Sequence, residues 1–156
     1  VIGGGMPVGA FAGRAEIMDV LAPNGPVYQA GTLSGNPIAV ACGTATLTHL
    51  KQHPEVYEKI DQTTERIEAI LADKFRDEQT AINRLGSMIS IHFGTDSVAN
   101  YSDATSANNA RFNALFHHLL QRGIYLPPSA FESWFISQAV SNIDLGHLED
   151  ALQSFS

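Results

Sequence analysis

Gly31-Thr32-Leu33-Ser34-Gly35-Asn36-Pro37 is the stretch of this 156-residue chain whose residue types and spacing best suit chemistry. Backbone N–H groups beside glycines, the Thr32 and Ser34 hydroxyls and a following helix start together suit an anion such as phosphate. Asn36 before Pro37 is a good helix start. The Asn side chain can accept from free N–H groups, and proline fits the first turn. The simpler reading is a capped helix with no ligand, and local physics alone prefers it. Glu132 is the second candidate. It lies in Pro127-Pro128-Ser129-Ala130-Phe131-Glu132-Ser133-Trp134, an acid among aromatic and apolar neighbours. Such a setting can raise a carboxyl pKa and suit an acid or a gate. The plainer alternative, an exposed loop carboxylate, is preferred on the residues alone.

Other reactive types point to structure. Gly3-Gly4-Gly5 lacks the spacing and lysine of a phosphate-binding P-loop and does not match a dinucleotide fingerprint. His49 and His53 are spaced i,i+4, which can place two metal ligands on one helical face, but no third ligand accompanies them. They read as two solvated histidines at a helix end. The adjacent His117 and His118 point in different directions on a helix. His92 alternates with the apolar side of its strand and reads as half-exposed. Cys42, in Ala39-Val40-Ala41-Cys42-Gly43, reads as a buried small hydrophobe. Asn100-Tyr101-Ser102 fits the glycosylation triplet, which is common by chance. No Ser/His/Asp order, zinc cluster or paired carboxylate set stands out.

The elements around these candidates follow from periodicity and punctuation. Residues 6–12 read as a short strand and 14–21 as a short helix ended by Pro23-Asn24-Gly25-Pro26. A helix rich in small residues runs from Pro37 to about Leu50. Val56, Ile60, Ile67, Ile70, Leu71 and Phe75 mostly match one face of a helix over 55–77. Residues 85–93 form a strand, with Ile89, Ile91 and Phe93 alternating against Met88, Ser90 and His92. A polar loop over 94–104 leads to a helix over 105–122, stopped by Gly123. Strands at 124–126 and 134–140 and a helix over 144–155 complete the chain. Residues from about 55 onward read as an α/β unit with its own core. Residues 1–50 supply too little strand for a sheet and look like the end of a larger domain.

Composition narrows the partners. The chain is 44% hydrophobic and 16% charged, with formal net charge −7. It has a packed core and lacks the basic face that nucleic acid or an anionic membrane needs. The lone Cys42 excludes an internal disulfide. No stretch approaches the roughly 20 apolar residues of a membrane span. The apolar, glycine-dense opening without Met suggests that residue 1 is an internal point of a longer protein.

Several segments together resemble the class III pyridoxal-phosphate aminotransferases. Val1-Ile2-Gly3-Gly4-Gly5-Met6-Pro7-Val8-Gly9-Ala10-Phe11 resembles the segment that directly follows the family's Schiff-base lysine. Tyr28 to Pro37 looks like the family loop in its aminomutase wording. Tyr125-Leu126-Pro127-Pro128-Ser129-Ala130-Phe131-Glu132 is similar to its C-terminal active-site loop. The resemblance implies an α/β fold of type I pyridoxal-phosphate transferases, with residues 1–50 ending the large cofactor domain and 51–156 forming the small C-terminal domain. It implies a homodimer with active sites at the subunit interface. Gly31 and Thr32 would reach the phosphate of the neighbouring subunit's cofactor, and Glu132 would face the substrate channel.

The implied activity is intramolecular amino transfer, from glutamate-1-semialdehyde to 5-aminolevulinate, with pyridoxal 5'-phosphate and its pyridoxamine form in the cycle. The alternative is a related transaminase acting on β-amino acids, and a self-standing binding module without chemistry is the third reading. The lysine would stand immediately before Val1 and the Asp that pairs the cofactor ring further upstream. No catalytic residue is therefore assigned within the 156 residues, which alone are expected to be inactive. The expected location is the cytoplasm, or the plastid stroma in a photosynthetic eukaryote.

Overall fold

The computed structural model describes residues 2–156, and Val1, the first residue of the glycine-rich opening, lies outside them. The chain divides into two compact units, at Pro54 and Glu55.

The first unit holds two helices, α1 (Ala15–Met18) and α2 (Pro37–Gln52). The opening runs through turns, with the Met6 N–H donating to the Gly3 carbonyl at 3.0 Å. It packs closely on α2. A Cβ on Gly43 would lie 2.6 Å from the Ile2 carbonyl oxygen, so only glycine allows the approach. The strand expected over 6–12 does not form. Residues 8–14 adopt no regular structure, and no described strand pairs with them, so no ladder forms there. The helix expected over 14–21 shrinks to the four residues of α1. Among the described residues of this unit, Ala39 is the one buried apolar side chain, whereas Phe11, Ile17, Tyr28, Ile38 and Leu47 are exposed.

The second unit has α3 (Glu55–Lys74), β1 (Thr80–Leu85), β2 (Met88–Phe93), α4 (Tyr101–Ser106), α5 (Asn109–Leu120), β3 (Trp134–Phe135) and α6 (Asn142–Gln153). The strands form an antiparallel sheet in the order β1-β2-β3. Ile89, Ile91 and Phe93 face a core shared with Leu71 and Phe75, Phe112, Leu115 and Leu119 of α5, and Leu145 and Leu152 of α6. Burying these side chains is the main force holding the unit together.

The single strand expected over 85–93 is a hairpin. Gly86, at φ +55°, turns the chain between β1 and β2. Arg84 clamps β1 to α3, donating to Glu68 Oε2 and Asp61 Oδ1 at 2.6 Å each. The helix expected over 105–122 is two helices. Asn108 interrupts it by donating its N–H to the Phe93 carbonyl at 2.7 Å while its side chain caps α5 at the Arg111 N–H. Strand 134–140 shortens to the two residues of β3, and 124–126 makes no ladder. No helix among the described residues is long and apolar enough to cross a membrane.

Candidate functional site

Gly31 and Thr32 lie in an exposed loop of the first unit. Two turns shape it: the Ser34 N–H donates to the Gly31 carbonyl at 2.9 Å, and the Asn36 N–H to Leu33 at 3.1 Å. The loop borders a cavity of about 270 Å³, lined by Pro7, Val8, Gly31, Ser34, Gly35 and Asn36 among others. A Cβ on Gly31 would stand 2.8 Å from Ser34 Oγ, so a larger residue would push that hydroxyl aside.

Asn36 caps α2 as expected: its Oδ1 accepts from Ile38 N at 3.0 Å and Ala39 N at 3.2 Å. Pro37 has no N–H, and Val40 N donates to the Asn36 carbonyl at 2.9 Å. The first-turn amides of α2 are therefore spent, and a helix terminus in this state offers an anion no donor. Donors remain on the loop itself. Among the described residues nothing accepts from the Gly31 or Thr32 N–H groups or from the Thr32 or Ser34 hydroxyls. These groups fit a phosphate oxygen. Asn36→Ala is expected to free the Ile38 and Ala39 amides and weaken the first turn by about 1 kcal/mol. Amide hydrogen exchange at Val40 and Ala41 should quicken about fivefold; unchanged exchange would mean that the cap contributes nothing.

Glu132 belongs to the second unit and is exposed. It borders a cavity of about 310 Å³ on the sheet face opposite the core, with Asn83, Ser90 and His92 on the strands and Asn100 and Ser133 on the covering segments. Register places them there: Asn83 pairs with Ser90 and Ala81 with His92, so all four share one face. The expectation of a half-exposed His92 is overturned. It is 7% exposed, because residues 98–104 and 130–133 cover that face.

Nε2 of His92 lies 3.2 Å from Ser90 Oγ, and Nδ1 has no partner among the described residues. Burial holds the His92 imidazole below its ordinary value of 6.5. Unfolding exposes the ring, which then takes up a proton near pH 6.5. The lowered folded value makes the contribution to stability complete above about pH 6.5 and diminishing as pH falls from there toward the folded value. His92→Phe should flatten that part of the stability-against-pH curve in urea titrations between pH 7.5 and 5. A variant curve parallel to the wild type would show that His92 does not titrate on unfolding.

The remaining candidates are structural. His49 and His53 stack at 4.5 Å on the last turn of α2. His118 places Nε2 2.8 Å from the Ala151 carbonyl, tying α5 to α6, while His117 is exposed. No described group of three or more His, Cys, Asp or Glu is placed to hold a metal. Cys42, expected to be buried, is partly exposed on α2, where neighbours cover only one side of the helix. Asn100 is spent as the cap of α4, accepting from Asp103 N at 3.1 Å. The polar strand face of Asn83, Ser90 and His92 was the group that motif reading missed. Its signal was the period-2 spacing of Ser90 and His92, which shows the shared face but not what covers it.

The pattern of aminotransferase class-III matches residues 1–152. The glutamate-1-semialdehyde 2,1-aminomutase of Flavobacterium johnsoniae is 47% identical over 158 aligned residues, covering all of this chain and 37% of that protein. The β-phenylalanine aminotransferase of Variovorax paradoxus superposes with a TM-score of 0.76 at 31% identity, over 99% of this chain and 36% of its own. A transaminase solved with PLP bound gives 0.78 at 26% identity, over 97% and 35%. The chain thus spans little more than a third of the length of the relatives it matches, and its α/β fold is that of pyridoxal-phosphate-dependent transaminases. A pattern match over nearly every residue, with structural agreement over the same length, makes the chain a member of the class-III aminotransferase family.

Proposed function

We propose that the whole protein is a glutamate-1-semialdehyde 2,1-aminomutase, moving an amino group between adjacent carbons to give 5-aminolevulinate. The observation that carries this reading is the 47% identity with a relative of that name over the full chain. When bound, pyridoxal phosphate supplies an electron sink for chemistry at the amino-bearing carbon, and its pyridoxamine form belongs to the same cycle.

The protein's own residues bind and orient. Two copies form a homodimer, and the Gly31 and Thr32 N–H groups with the Thr32 hydroxyl hold the phosphate of the partner subunit's cofactor. The fit rests on the donors that the loop leaves unspent. Glu132 faces the substrate channel, where its carboxylate accepts hydrogen bonds from the amino substrate. Residues 1–50 close the large cofactor domain, and 51–156 form the small C-terminal domain. The enzyme works in the cytoplasm, or in the plastid stroma of a photosynthetic eukaryote.

Product analysis of the full-length protein tests this. Aminolevulinate formed from glutamate-1-semialdehyde with no added amino acceptor supports the mutase. A strict need for an external keto acid replaces it with a transaminase of β-amino acids, the reading favoured by likeness to the Variovorax enzyme.

A further inference from the structure

His92 sits where an imidazole is poorly able to take up a proton. Its Nδ1 is shut off from solvent and has no partner among the described residues, and Nε2 faces only Ser90 Oγ at 3.2 Å. A neutral ring has one N–H to place. An imidazolium has two, so whichever nitrogen carries the first proton, the cation needs two acceptors and finds one. A buried donor left unpaired costs the desolvation of the group, and more when the group is charged. Protonation therefore favours any arrangement that lets water reach Nδ1.

The cover over the ring is thin. Among the described residues lining that cavity only His92, Ala104 and Ala130 are buried, and His92 is the largest of the three. The two covering segments meet through Tyr101 and Phe131, whose ring centroids are 5.9 Å apart. Ser129 gathers the second segment into one turn, accepting from Glu132 N at its carbonyl (3.1 Å) and from Phe131 N at Oγ (3.2 Å). That turn precedes β3 and is held by no ladder, so it belongs to the part of the unit that opens locally at low cost. Few charges surround the ring. β1 brings Ala81 and Asn83 to this face, while Arg84 turns away to Glu68 and Asp61 of α3. Asp96 accepts from Gln79 Nε2 and Asp103 of α4 from Ala99 N, and neither lines the cavity. Tyr101 and Glu132 line it, both exposed, and neither is bonded to the ring.

We propose that His92 is a positioning residue: its neutral ring seats the turn over 129–133, and Glu132 with it, and protonation of the ring unseats that turn while the core of the unit stays folded. The consequence for an amino substrate rests on the reading of Glu132 given above, whereas the seat itself rests on the geometry of the second unit. Burial holds the seated ring below the ordinary histidine value of 6.5. Opening exposes the ring and takes up a proton. The seat is therefore fully favoured above about pH 6.5, and the open population grows as pH falls from there toward the seated value.

The test uses the full-length, cofactor-loaded protein with 13C-labelled alanine and leucine methyl groups. Exchange broadening of the Ala104 and Ala130 methyls, which scales with the open population, should grow about five- to tenfold between pH 7.5 and 5.5. Leu115, fully buried in the core, should show no such growth. In His92→Phe the alanine signals should be indifferent to pH over that range. Should phenylalanine prevent folding, His92→Gln keeps a donor toward Ser90 Oγ, cannot titrate, and should show the same indifference. His92→Ala leaves the turn unseated at every pH. It should raise KM for glutamate-1-semialdehyde about tenfold, the effect of a lost hydrogen bond to a charged group, with kcat within about twofold. Broadening that is flat in the wild type, equal in the non-titrating variant, or shared by Leu115 would overturn the proposal. An unchanged KM in His92→Ala beside pH-dependent broadening would keep the seat and remove Glu132 from the substrate's path. Product analysis is independent of all of these, so a protein that needs a keto acid yet shows the broadening keeps the seat and loses the mutase reading.

Discussion

Thr32→Val in the full-length protein is expected to lower pyridoxal phosphate affinity by roughly 10- to 100-fold, since a hydrogen bond to a charged group contributes about 1.5–3 kcal/mol. Valine keeps the shape and branching of threonine and removes only the hydroxyl. The loop is exposed, so the substitution leaves the packing of the unit intact. Backbone donors at Gly31 and Thr32 would remain, which is why binding weakens without being abolished. The helix cannot compensate, because Asn36 and Pro37 leave α2 with no free first-turn amide. Equilibrium dialysis of the apoenzyme against the cofactor reads the effect. Gly31→Ala should also weaken binding, because its Cβ would press Ser34 Oγ, 2.8 Å away, out of place. If Thr32→Val binds within threefold of the wild type, the Thr32 hydroxyl does not touch the phosphate, and any hold the loop has on it is through backbone N–H groups alone.

What could be read from the residues depended on whether the deciding contact was near in sequence. Asn36-Pro37 announced α2 because a cap acts within three residues. The spacing of Val56, Ile67 and Leu71 showed α3 for the same reason. β1 escaped because Thr80–Leu85 offers only Ala81, Ile82 and Leu85 as apolar residues, and its hold on the core includes Arg84 bound to carboxylates 16 and 23 residues away. The break between α4 and α5 was hidden because Asn108 answers to the Phe93 carbonyl, fifteen residues back. His92 was placed on the correct face by alternation, but its burial depends on segments that only the folded chain lays over it. For the candidate site, the Gly31–Asn36 loop was visible as a local pattern. The company of Glu132 was not, since Asn83 and His92 reach it through sheet register.

Phe75→Ala is expected to destabilise the second unit by about 3–5 kcal/mol, a large part of the 5–15 kcal/mol that typically keeps a domain folded. Phe75 is 0% exposed and follows the last residue of α3. Its ring meets Phe93 of β2 edge-on at 5.0 Å and Phe155, beyond α6, at 6.1 Å. One side chain thus joins three segments that are distant in sequence. Alanine would remove both aromatic contacts and leave a void that the surrounding Leu and Phe side chains cannot all close. Phe75→Leu refills most of the volume and should cost about 1–2 kcal/mol less than Phe75→Ala. Phe135, 73% exposed on β3, is the control, and Phe135→Ala should stay within about 0.5 kcal/mol of the wild type. Urea unfolding can be followed through Trp134, the chain's one tryptophan, which is 4% exposed in the same core. Were Phe75→Ala to shift the midpoint no further than Phe135→Ala, the junction of α3, β2 and the C-terminal segment would not be what holds the unit together. The sheet face that carries Asn83, Ser90 and His92 would then owe its position to the hairpin alone.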